Sequence, residues 1–392
     1  MPKDMSDSEK AARLLASLRT RHQEMLQVLA KFVRAESPTG SKAAVDRFGR
    51  MVAMEWRKLG ARVDILPQRR QGDHLRVALP RQASREALRT RQILVLGHLD
   101  TVYGLGTLRH MPYRVAQGRA LGPGIFDMKG GLVIALFAVD ALACAGWWPA
   151  RPVVFLWTSD EETGSATSRA LIEREARRSA AVLVLEPASG LDGRVKTQRK
   201  AIGTAELTVT GRAAHAGINP GEGVNAVHEL ALQIARIARL NDSKRGTTVS
   251  PTVVEGGTRD NVIPASARAI FDLRARRATG MRALERRLQS LRPILPGAKL
   301  SVRGGFSRPP LERSASAALF ARARELAKGM GLSLQEASTG GGSDGSFTAA
   351  LGVPTLDGLG AVGEGAHSAN ENVLVEALPE RAALLAGLLA TL

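Results

Sequence analysis

Three short, nearly continuous apolar runs constrain the fold of this chain more than any other feature of its sequence: Gln92–Leu96, Val153–Trp157 and Val182–Leu185. Apolar runs without polar alternation are typical of strands that are buried on both faces. A long apolar segment that we predict to be a helix, Gly130–Ala145, separates the first two runs. This alternation predicts an α/β fold built on a central, largely parallel sheet.

The segments around these runs predict further helices and strands. Apolar residues near a 3.6-residue period predict one amphipathic helix over 8–34, and a second helix over 41–59 that stops at Gly60. Outside residues 204–313, we further predict strands at Arg62–Leu66, His74–Leu79 and near Leu332–Gln335, and helices near 315–330 and 376–391.

The pattern changes near Ile202, where strands and helices follow in the order β-α-β-β-α-β. This order is that of a small ferredoxin-like α+β sandwich. The predicted elements are Glu206–Val209, a helix over 224–240, Thr247–Val254, Ala265–Leu273, a helix over 280–291 and Lys299–Val302. We therefore predict that residues 204–313 form an inserted domain within a discontinuous domain of residues 1–203 and 314–392.

Charge and cysteine content narrow the functional class. The chain of 392 residues has a net charge of +18, from 55 basic and 37 acidic residues, which raises the possibility of a nucleic-acid-binding protein. The excess flanks a balanced middle region, no basic arm is present, and 4% aromatic residues are few for stacking on single strands. A solvated, arginine-rich surface, or a preference for small anionic substrates, is the better interpretation.

The same features predict where the protein resides. Met1–Thr20 has no uninterrupted apolar stretch of the kind a signal peptide needs, and the most apolar run, Leu132–Leu142, is too short to cross a bilayer. The single cysteine, Cys144, excludes a disulfide framework and is expected to be a small core residue. We predict a cytoplasmic protein that binds neither a membrane nor nucleic acid.

Histidines and carboxylates gather at the predicted ends of the buried strands. His98 and Asp100 follow the first run and share a face, so the aspartate can orient the histidine, although a buried His–Asp hydrogen bond is an alternative. Asp127 lies in a glycine-punctuated loop that opens a helix, and alone it would be interpreted as an N-cap. Glu186 directly follows the third run, and His367 lies near the C-terminus.

The segment Ser159–Gly164 places three successive carboxylates after the second run. Three buried carboxylates repel one another, and burying them without a nearby cation costs free energy. A solvated acidic loop is the alternative interpretation. Adjacent Glu161 and Glu162 point in different directions, so that one can bind metal while the other faces the substrate. Nitrogen and oxygen donors around a shared carboxylate suit a pair of zinc-like ions, which can activate a bridging water for a free carboxylate to deprotonate.

Seven sequence blocks together resemble the dinuclear zinc peptidase and amidohydrolase superfamily, which includes glutamate carboxypeptidases, aminoacylases and acyl-ornithine or acyl-diaminopimelate deacylases. The glutamate carboxypeptidase branch is the most similar. The blocks are GHLDTVYG (97–104), GPGIFDMKGG (122–131), SDEETGS (159–165), LEPAS (185–189), GRAAHAG (211–217), NVIPASA (261–267) and GGGSDGSF (340–347).

This resemblance implies roles for individual residues. His98, Asp127 and Glu186 would hold one divalent ion, and Asp127, Glu162 and His367 the other, with Zn²⁺ favoured over Co²⁺ or Mn²⁺. Asp100 would orient His98, and Glu161 would be the general base and acid. The resemblance also implies that the inserted domain is a lid that forms a homodimer, and that its His215 polarises the scissile carbonyl of the partner's substrate.

Substrate contacts are implied for four further residues: Asn261, Arg274, Gly341 and Gly342. Arg274 would pair with the free carboxylate of the substrate, although a surface salt bridge is the alternative. Met128 stands where branch members often carry a second acid; it is not expected to be a ligand. Arg194, Lys196 and Lys200 are candidates for a side-chain clamp.

The resulting expectation is a metal-dependent hydrolase of an amide bond next to a free carboxylate. Glutamate or aspartate would be released from an N-acyl amino acid or a small peptide. An aminoacylase that prefers apolar or aromatic N-acyl amino acids is the alternative within the enzyme class. A nucleic-acid-binding protein and a catalytically dead carboxylate-binding relative are the alternatives outside it.

Overall fold

The computed structural model describes residues 5–79 and 90–392 and divides the chain into two compact units. Unit 1 comprises Met1–Thr197, Arg313–Ser338 and Ser343–Leu392, and unit 2 comprises Gln198–Glu312 and Thr339–Gly342. The last segment differs from the predicted division, which assigned it to the discontinuous domain. It belongs to unit 2 because the Lys200 backbone N–H donates to the Thr339 carbonyl at 3.1 Å.

Ten α-helices and eighteen strands are present in the described residues. The helices are α1 Asp7–Thr20, α2 His22–Val33, α3 Lys42–Lys58, α4 Gly130–Ala145, α5 Arg169–Arg177, α6 Ala226–Ala238, α7 Ala278–Gln289, α8 Arg313–Gly329, α9 Gly345–Ala350 and α10 Ala377–Thr391. The strands are β1 Arg62–Leu66, β2 His74–Ala78, β3 Gln92–His98, β4 Arg114–Ala116, β5 Arg119–Leu121, β6 Val153–Thr158, β7 Ser179–Val184, β8 Val195–Arg199, β9 Ala201–Thr210, β10 Ala214–His215, β11 Thr248–Gly256, β12 Val262–Ile263, β13 Ser266–Ala275, β14 Lys299–Arg308, β15 Glu336–Thr339, β16 Thr355–Leu356, β17 Gly363–Glu364 and β18 Asn372–Leu374.

The main sheet of unit 1 is mixed, with the strand order β1-β2-β6-β3-β7-β16. The pairs β6–β3, β3–β7 and β7–β16 are parallel, whereas β1–β2 and β2–β6 are antiparallel. The expectation of a largely parallel sheet did not anticipate these antiparallel pairs. The connection from β1 to β2 is too short for the helical crossover that parallel neighbours need, so these two strands form a hairpin.

The core of unit 1 lies on both faces of this sheet. Every residue of β6 is buried, and the rings of Trp56, Phe155 and Trp157 pack with centroids 4.4–6.0 Å apart. Helix α4 is buried almost throughout. The segment Ile125–Ala145 is long and apolar enough to cross a membrane, but 78% of that stretch is buried inside the protein, as in a core helix.

Three sequence expectations in unit 1 are wrong in detail. The predicted helix over 8–34 is two helices, because the backbone of Arg21 leaves the helical conformation (φ −103°, ψ 14°). The strand expected near Leu332–Gln335 begins only at Glu336. Cys144 is exposed rather than buried, because it lies on the solvent side of the last turn of α4.

Unit 2 contains one antiparallel sheet of four strands in the order β11-β13-β9-β14. Helix α6 follows β9 and helix α7 follows β13, so the elements occur in the order β-α-β-β-α-β. The alternating burial of β9 and β13 places Leu207, Phe271 and Leu273 in a core with Leu230 of α6 and Leu284 of α7. One face of this sheet is therefore covered by helices.

Candidate metal centre

The carboxyl ends of three neighbouring strands of unit 1 carry most of the candidate ligands. His98 is the last residue of β3, Glu161 and Glu162 follow β6, and Glu186 follows β7. Because these strands are parallel, their ends lie at the same edge of the sheet, where ligand sites of α/β proteins form. Loops of the same unit supply Asp127 and His367.

The structure brings the five predicted metal ligands together. The Nε2 atom of His98 lies 3.0 Å from Asp127 Oδ1 and 3.6 Å from Glu186 Oε1. The Nε2 atom of His367 lies 3.2 Å from Glu162 Oε2 and 3.5 Å from Asp127 Oδ2. Asp127 thus faces one histidine with each of its oxygens, as expected for a carboxylate shared between two ions.

Asp100 contacts both His98 and the acidic turn after β6. His98 Nδ1 lies 2.9 Å from the Asp100 backbone carbonyl and 3.5 Å from its carboxylate. A proton on Nδ1 satisfies the carbonyl and leaves Nε2 free as a ligand atom. The Asp100 carboxylate accepts the backbone N–H groups of Glu161 and Glu162, each at 3.3 Å, and therefore also fixes the acidic turn.

Two residues that sequence reasoning did not single out also hold this framework. Thr39 donates its hydroxyl to Asp100 Oδ2 at 2.8 Å. Glu371, which is completely buried, accepts the backbone N–H groups of Phe126 and Asp127 at 2.8 and 2.9 Å. The only sequence signal for Glu371 was its place between His367 and an apolar strand.

The charges of the cluster are strongly coupled. Burial raises the pKa of Glu162 to about 7. The hydrogen bond to Asp127 raises the pKa of His367 to about 9. Burial opposes a charge on His98, but its hydrogen bonds to Asp100 and Asp127 outweigh burial and hold the pKa of His98 well above its usual value. Without a metal ion, the protons that His98, Glu162 and His367 retain therefore offset part of the negative charge of the cluster.

The donor set fits divalent metal ions. Glu162 Oε1 is buried and has no hydrogen-bond partner in the part of the chain that the structure describes. A buried acceptor without a donor is costly, and a cation would satisfy it. Ligand atoms of His98, Asp127 and Glu162 lie within 4.8 Å of one another, as do those of His98, Glu161 and Glu186. Imidazole and carboxylate donors of this kind suit zinc and similar ions.

Metal binding is expected to release protons and to strengthen as the pH rises from about 6 to 9. The folded-state pKa of Glu162 is about 7 and that of His367 about 9, and both groups must lose their protons to act as ligands. Calorimetric titration of the metal-free chain, in buffers with different enthalpies of ionisation, counts these protons. An affinity that does not change between pH 6 and 9 would contradict the ligand assignment.

Met128 occupies apolar surroundings and not the ligand cluster. Its side chain is buried, and a Cβ added to Gly97 would lie 2.6 Å from its methyl group. Its sulfur accepts the backbone N–H of His98 at 3.1 Å. Met128 therefore packs as an apolar residue next to Asp127 and is not one of the ligands.

His215 and Asn261 are neighbours in unit 2. His215 lies in β10, opposite Val262 of β12, and the Asn261 carbonyl accepts the backbone N–H of Ala216 at 2.9 Å. His215 Nδ1 accepts the N–H groups of Gly217 and Ile218, both at 3.1 Å. With Nδ1 occupied as an acceptor, the ring presents its Nε2–H as a donor from an exposed position.

Arg274 and the glycines at 340–342 also meet within unit 2. Arg274 Nη1 donates to the Gly340 carbonyl at 3.1 Å, and Nη2 pairs with Asp272 at 2.8 Å. The salt bridge that was the alternative interpretation of Arg274 is therefore present. The buried Arg199, which sequence reasoning missed, donates to the carbonyls of Gly341 and Gly342 at 3.2 and 2.7 Å.

The three lysine and arginine candidates for a clamp divide between the units. Arg194 is half-exposed and pairs with Asp192 at 3.0 Å, as a surface ion pair. Lys196 contributes its backbone N–H to the Asp357 carbonyl at 2.8 Å, and Lys200 lies in unit 2. These contacts do not test a substrate role, so the three residues remain candidates.

Comparisons with known proteins agree with this site. A model of peptidase family M20/M25/M40 matches residues 94–391. The chain is 32% identical to carboxypeptidase G2 of Pseudomonas sp. (strain RS-16) over 372 residues, which cover 93% of this chain and 88% of the relative. It is 29% identical to succinyl-diaminopimelate desuccinylase of Halorhodospira halophila (strain DSM 244 / SL1), covering 71% of this chain and 78% of that protein.

Solved structures share the fold. Aminopeptidase PepT from Bacillus cereus ATCC 10987 superposes with a TM-score of 0.79 at 21% identity, covering 94% of this chain and 98% of that one. The YXEP protein of Bacillus subtilis, described as a dinuclear metal-binding peptidase from the M20 family, gives a TM-score of 0.68 at 14% identity and covers 95% and 98%.

Proposed function

Because the chain belongs to peptidase family M20/M25/M40, we propose that it hydrolyses an amide bond next to a free carboxylate and releases glutamate or aspartate. The family and its relatives make the chain a metal-dependent hydrolase. We add to this class a proposed substrate: an N-acyl amino acid or a small peptide from which an acidic residue is released. One observation supports the hydrolytic part of the proposal above all: nitrogen–oxygen distances of 3.0–3.6 Å join the imidazoles of His98 and His367 to three carboxylates, those of Asp127, Glu162 and Glu186.

We assign these five side chains to two divalent ions, with zinc as the ion in the cell and cobalt or manganese as substitutes. His98, Asp127 and Glu186 would hold the first ion, and Asp127, Glu162 and His367 would hold the second. Such a pair would supply Lewis acidity, which polarises a scissile carbonyl and lowers the pKa of water. Thr39 holds the Asp100 carboxylate by a hydrogen bond, and Asp100 in turn fixes the positions of the His98 ring and the acidic turn.

Glu161 is the general base and acid of the proposed reaction. One of its carboxylate oxygens lies within 4.8 Å of ligand atoms of His98 and Glu186. Glu161 takes the proton of the attacking water and gives it to the leaving amine, so that the same side chain acts twice. His215 donates its Nε2–H to the carbonyl oxygen, which becomes an oxyanion when water adds to the carbonyl carbon.

Residues of unit 2 bind the substrate in this proposal. Arg274 pairs with the free carboxylate of the substrate, Asn261 donates to its polar groups, and Gly341 and Gly342 allow the substrate to approach the backbone closely. We further propose that unit 2 acts as a lid and forms a homodimer, in which His215 serves the site of the partner subunit.

Arg274→Ala is expected to raise KM for N-acyl-glutamate by about 10–100-fold, because a hydrogen-bonded charge contributes about 1.5–3 kcal/mol. The ion pair with Asp272 leaves room for a second carboxylate, since the planar guanidinium carries five N–H donors. Arg276→Ala is the matched control: Arg276 lies on the same stretch, is exposed, and should leave KM unchanged. Equal effects of both substitutions would count against a specific clamp.

The substrate proposal is tested by amine release from N-acyl-glutamate, N-acyl-aspartate and N-acyl-phenylalanine, with zinc, cobalt or manganese added. The proposal predicts the highest kcat/KM for the two acidic substrates. A preference for N-acyl-phenylalanine would favour an aminoacylase instead. No turnover of any of the three by chain that carries metal would refute the proposed reaction.

We also propose that the protein works in the cytoplasm. Its single cysteine excludes an intrachain disulfide, as is typical of proteins in a reducing compartment. Cell fractionation with an antibody to the natural protein tests this directly, and recovery outside the cytoplasm would contradict it.

A further inference from the structure

Glu371 holds the turn that carries Asp127. Its carboxylate accepts three backbone N–H groups: Gly124 at 3.1 Å through Oε2, and Phe126 and Asp127 at 2.8 and 2.9 Å through Oε1. The residue is 0% exposed, and no lysine or arginine of the described ranges 5–79 and 90–392 forms an ion pair with it. Burial raises the pKa of the Glu371 carboxyl, and the backbone N–H groups of Phe126 and Asp127 oppose that shift. The three hydrogen bonds fix the position of the turn.

This turn needs such support because its backbone is irregular. Gly124 has a φ of +67°, which favours glycine, and Asp127 itself has non-helical angles (φ −116°, ψ 95°) between the loop and α4. Regular hydrogen bonding of a helix does not begin until Gly130. The three hydrogen bonds to Glu371 take the place of regular helical hydrogen bonds at the position from which the Asp127 side chain extends.

Glu371 also connects the segments that carry the two histidines. It lies in the loop of His367, and the hydroxyl of Tyr103, in the loop after His98, donates to the Ser368 carbonyl at 2.9 Å. The same phenol interacts with the Glu371 carboxylate. The three segments that present His98, Asp127 and His367 are thus joined at one buried carboxylate.

We propose that Glu371 is a positioning residue for the metal pair: by fixing the Asp127 turn against the His367 loop, it sets the affinity of the site for metal. The inference rests on the ligand assignment of the proposed function. It goes beyond that assignment because Glu371 itself is too occupied by N–H donors to serve as a ligand. Groups that support metal ligands in this way typically change metal affinity by about 10–100-fold.

The test is a titration of metal-free chain with Co²⁺, followed by its visible absorption, which reports the ligands around the ion. Glu371→Gln keeps the size of the side chain but replaces one acceptor oxygen with an NH₂ donor that would face an N–H group. We expect it to weaken Co²⁺ binding by about 10–100-fold and to change the absorption bands. Tyr103→Phe keeps all three N–H contacts and should weaken binding less.

Glu364→Gln is the matched control, since Glu364 lies near the same loop but is exposed and paired with Arg119 at 2.6 Å. It should bind Co²⁺ as the parent does. If Glu371→Gln does not fold, Tyr103→Phe decides the question. Parental affinity and absorption in every folded variant would overturn the role of Glu371 alone, whereas a parent chain that binds no Co²⁺ would overturn the ligand assignment as well.

Discussion

Glu161→Gln is expected to lower kcat by about 10²–10⁴-fold, the range that one general acid–base group contributes, and to leave the metal content unchanged. Glutamine has nearly the same volume as glutamate but no basic oxygen. It can neither accept the proton of the attacking water nor return one to the leaving amine. The measurements are kcat with the best N-acyl amino acid and metal per chain by mass spectrometry.

The metal measurement is needed because the geometry offers Glu161 a competing role. Its carboxylate lies with His98 and Glu186 in a group of potential ligands that are within 4.8 Å of one another. If Glu161 were a ligand, Glu161→Gln would lower the metal content together with kcat. Glu364→Gln, at the exposed position of strand β17, is the control for a general effect of removing a carboxylate.

Two results would contradict the assignment of Glu161 as the base. Parental kcat in Glu161→Gln would show that another group moves the proton. Loss of one metal equivalent would instead place Glu161 among the ligands, and an acid such as Glu186, which the proposal makes a ligand, would then be the next candidate for the base.

Local sequence patterns predicted the longer elements of unit 1, which hydrophobic burial marks clearly, but not the helices α5 and α9 or short strands such as β4, β5 and β16–β18. Strands β3, β6 and β7 are continuous apolar runs, and helix α4 has the predicted bounds, Gly130–Ala145. The break at Arg21 was not predictable in this way, since the apolar period continues through it without glycine or proline. Contacts distant in sequence accompany this break: Arg21 pairs with Asp140 as well as with nearby Glu24.

The candidate site shows the same division between local and distant information. His98, Asp127 and Glu162 stand in recognisable motifs at strand ends or in a glycine-rich loop, so the sequence was enough to select them. Thr39 and Glu371 act through hydrogen bonds to residues 61 and 244–247 positions away, to Asp100 and to the Asp127 turn. A single sequence contains no periodicity or spacing that reports such contacts.

Asp127→Asn is expected to weaken metal binding by at least about 100-fold, the upper end of the range for groups that merely support a ligand, and to abolish measurable hydrolysis. Asp127 faces His98 at 3.0 Å with one oxygen and His367 at 3.5 Å with the other. Asparagine replaces one of these oxygens with an NH₂ group, so it cannot serve two ions. Co²⁺ titration and kcat measure the two losses.

The metal-free chains provide a second, independent measurement of the same substitution. In the parent, the hydrogen bond to Asp127 raises the pKa of His367 from 6.5 to about 9. Burial opposes the charge of Asp127, but its hydrogen bonds to His367 and His98 outweigh burial and hold the pKa of Asp127 below the usual range. The stability that comes from the raised histidine pKa is fully present below pH 6.5 and is lost as the pH rises through about 9. The stability that comes from the lowered pKa of Asp127 is present above the ordinary pKa of aspartate and is lost as the pH falls below it.

The difference in Tm between metal-free parent and Asp127→Asn should therefore be largest near pH 5–6 and should shrink toward pH 9.5. Asp192→Asn, which removes an exposed carboxylate paired with Arg194, should show no such profile. A chain with Asp127→Asn that binds two Co²⁺ ions with parental affinity would exclude Asp127 as the shared ligand. A difference in Tm that stays constant with pH would show that the substitution acts through packing and not through the charges of His98 and His367.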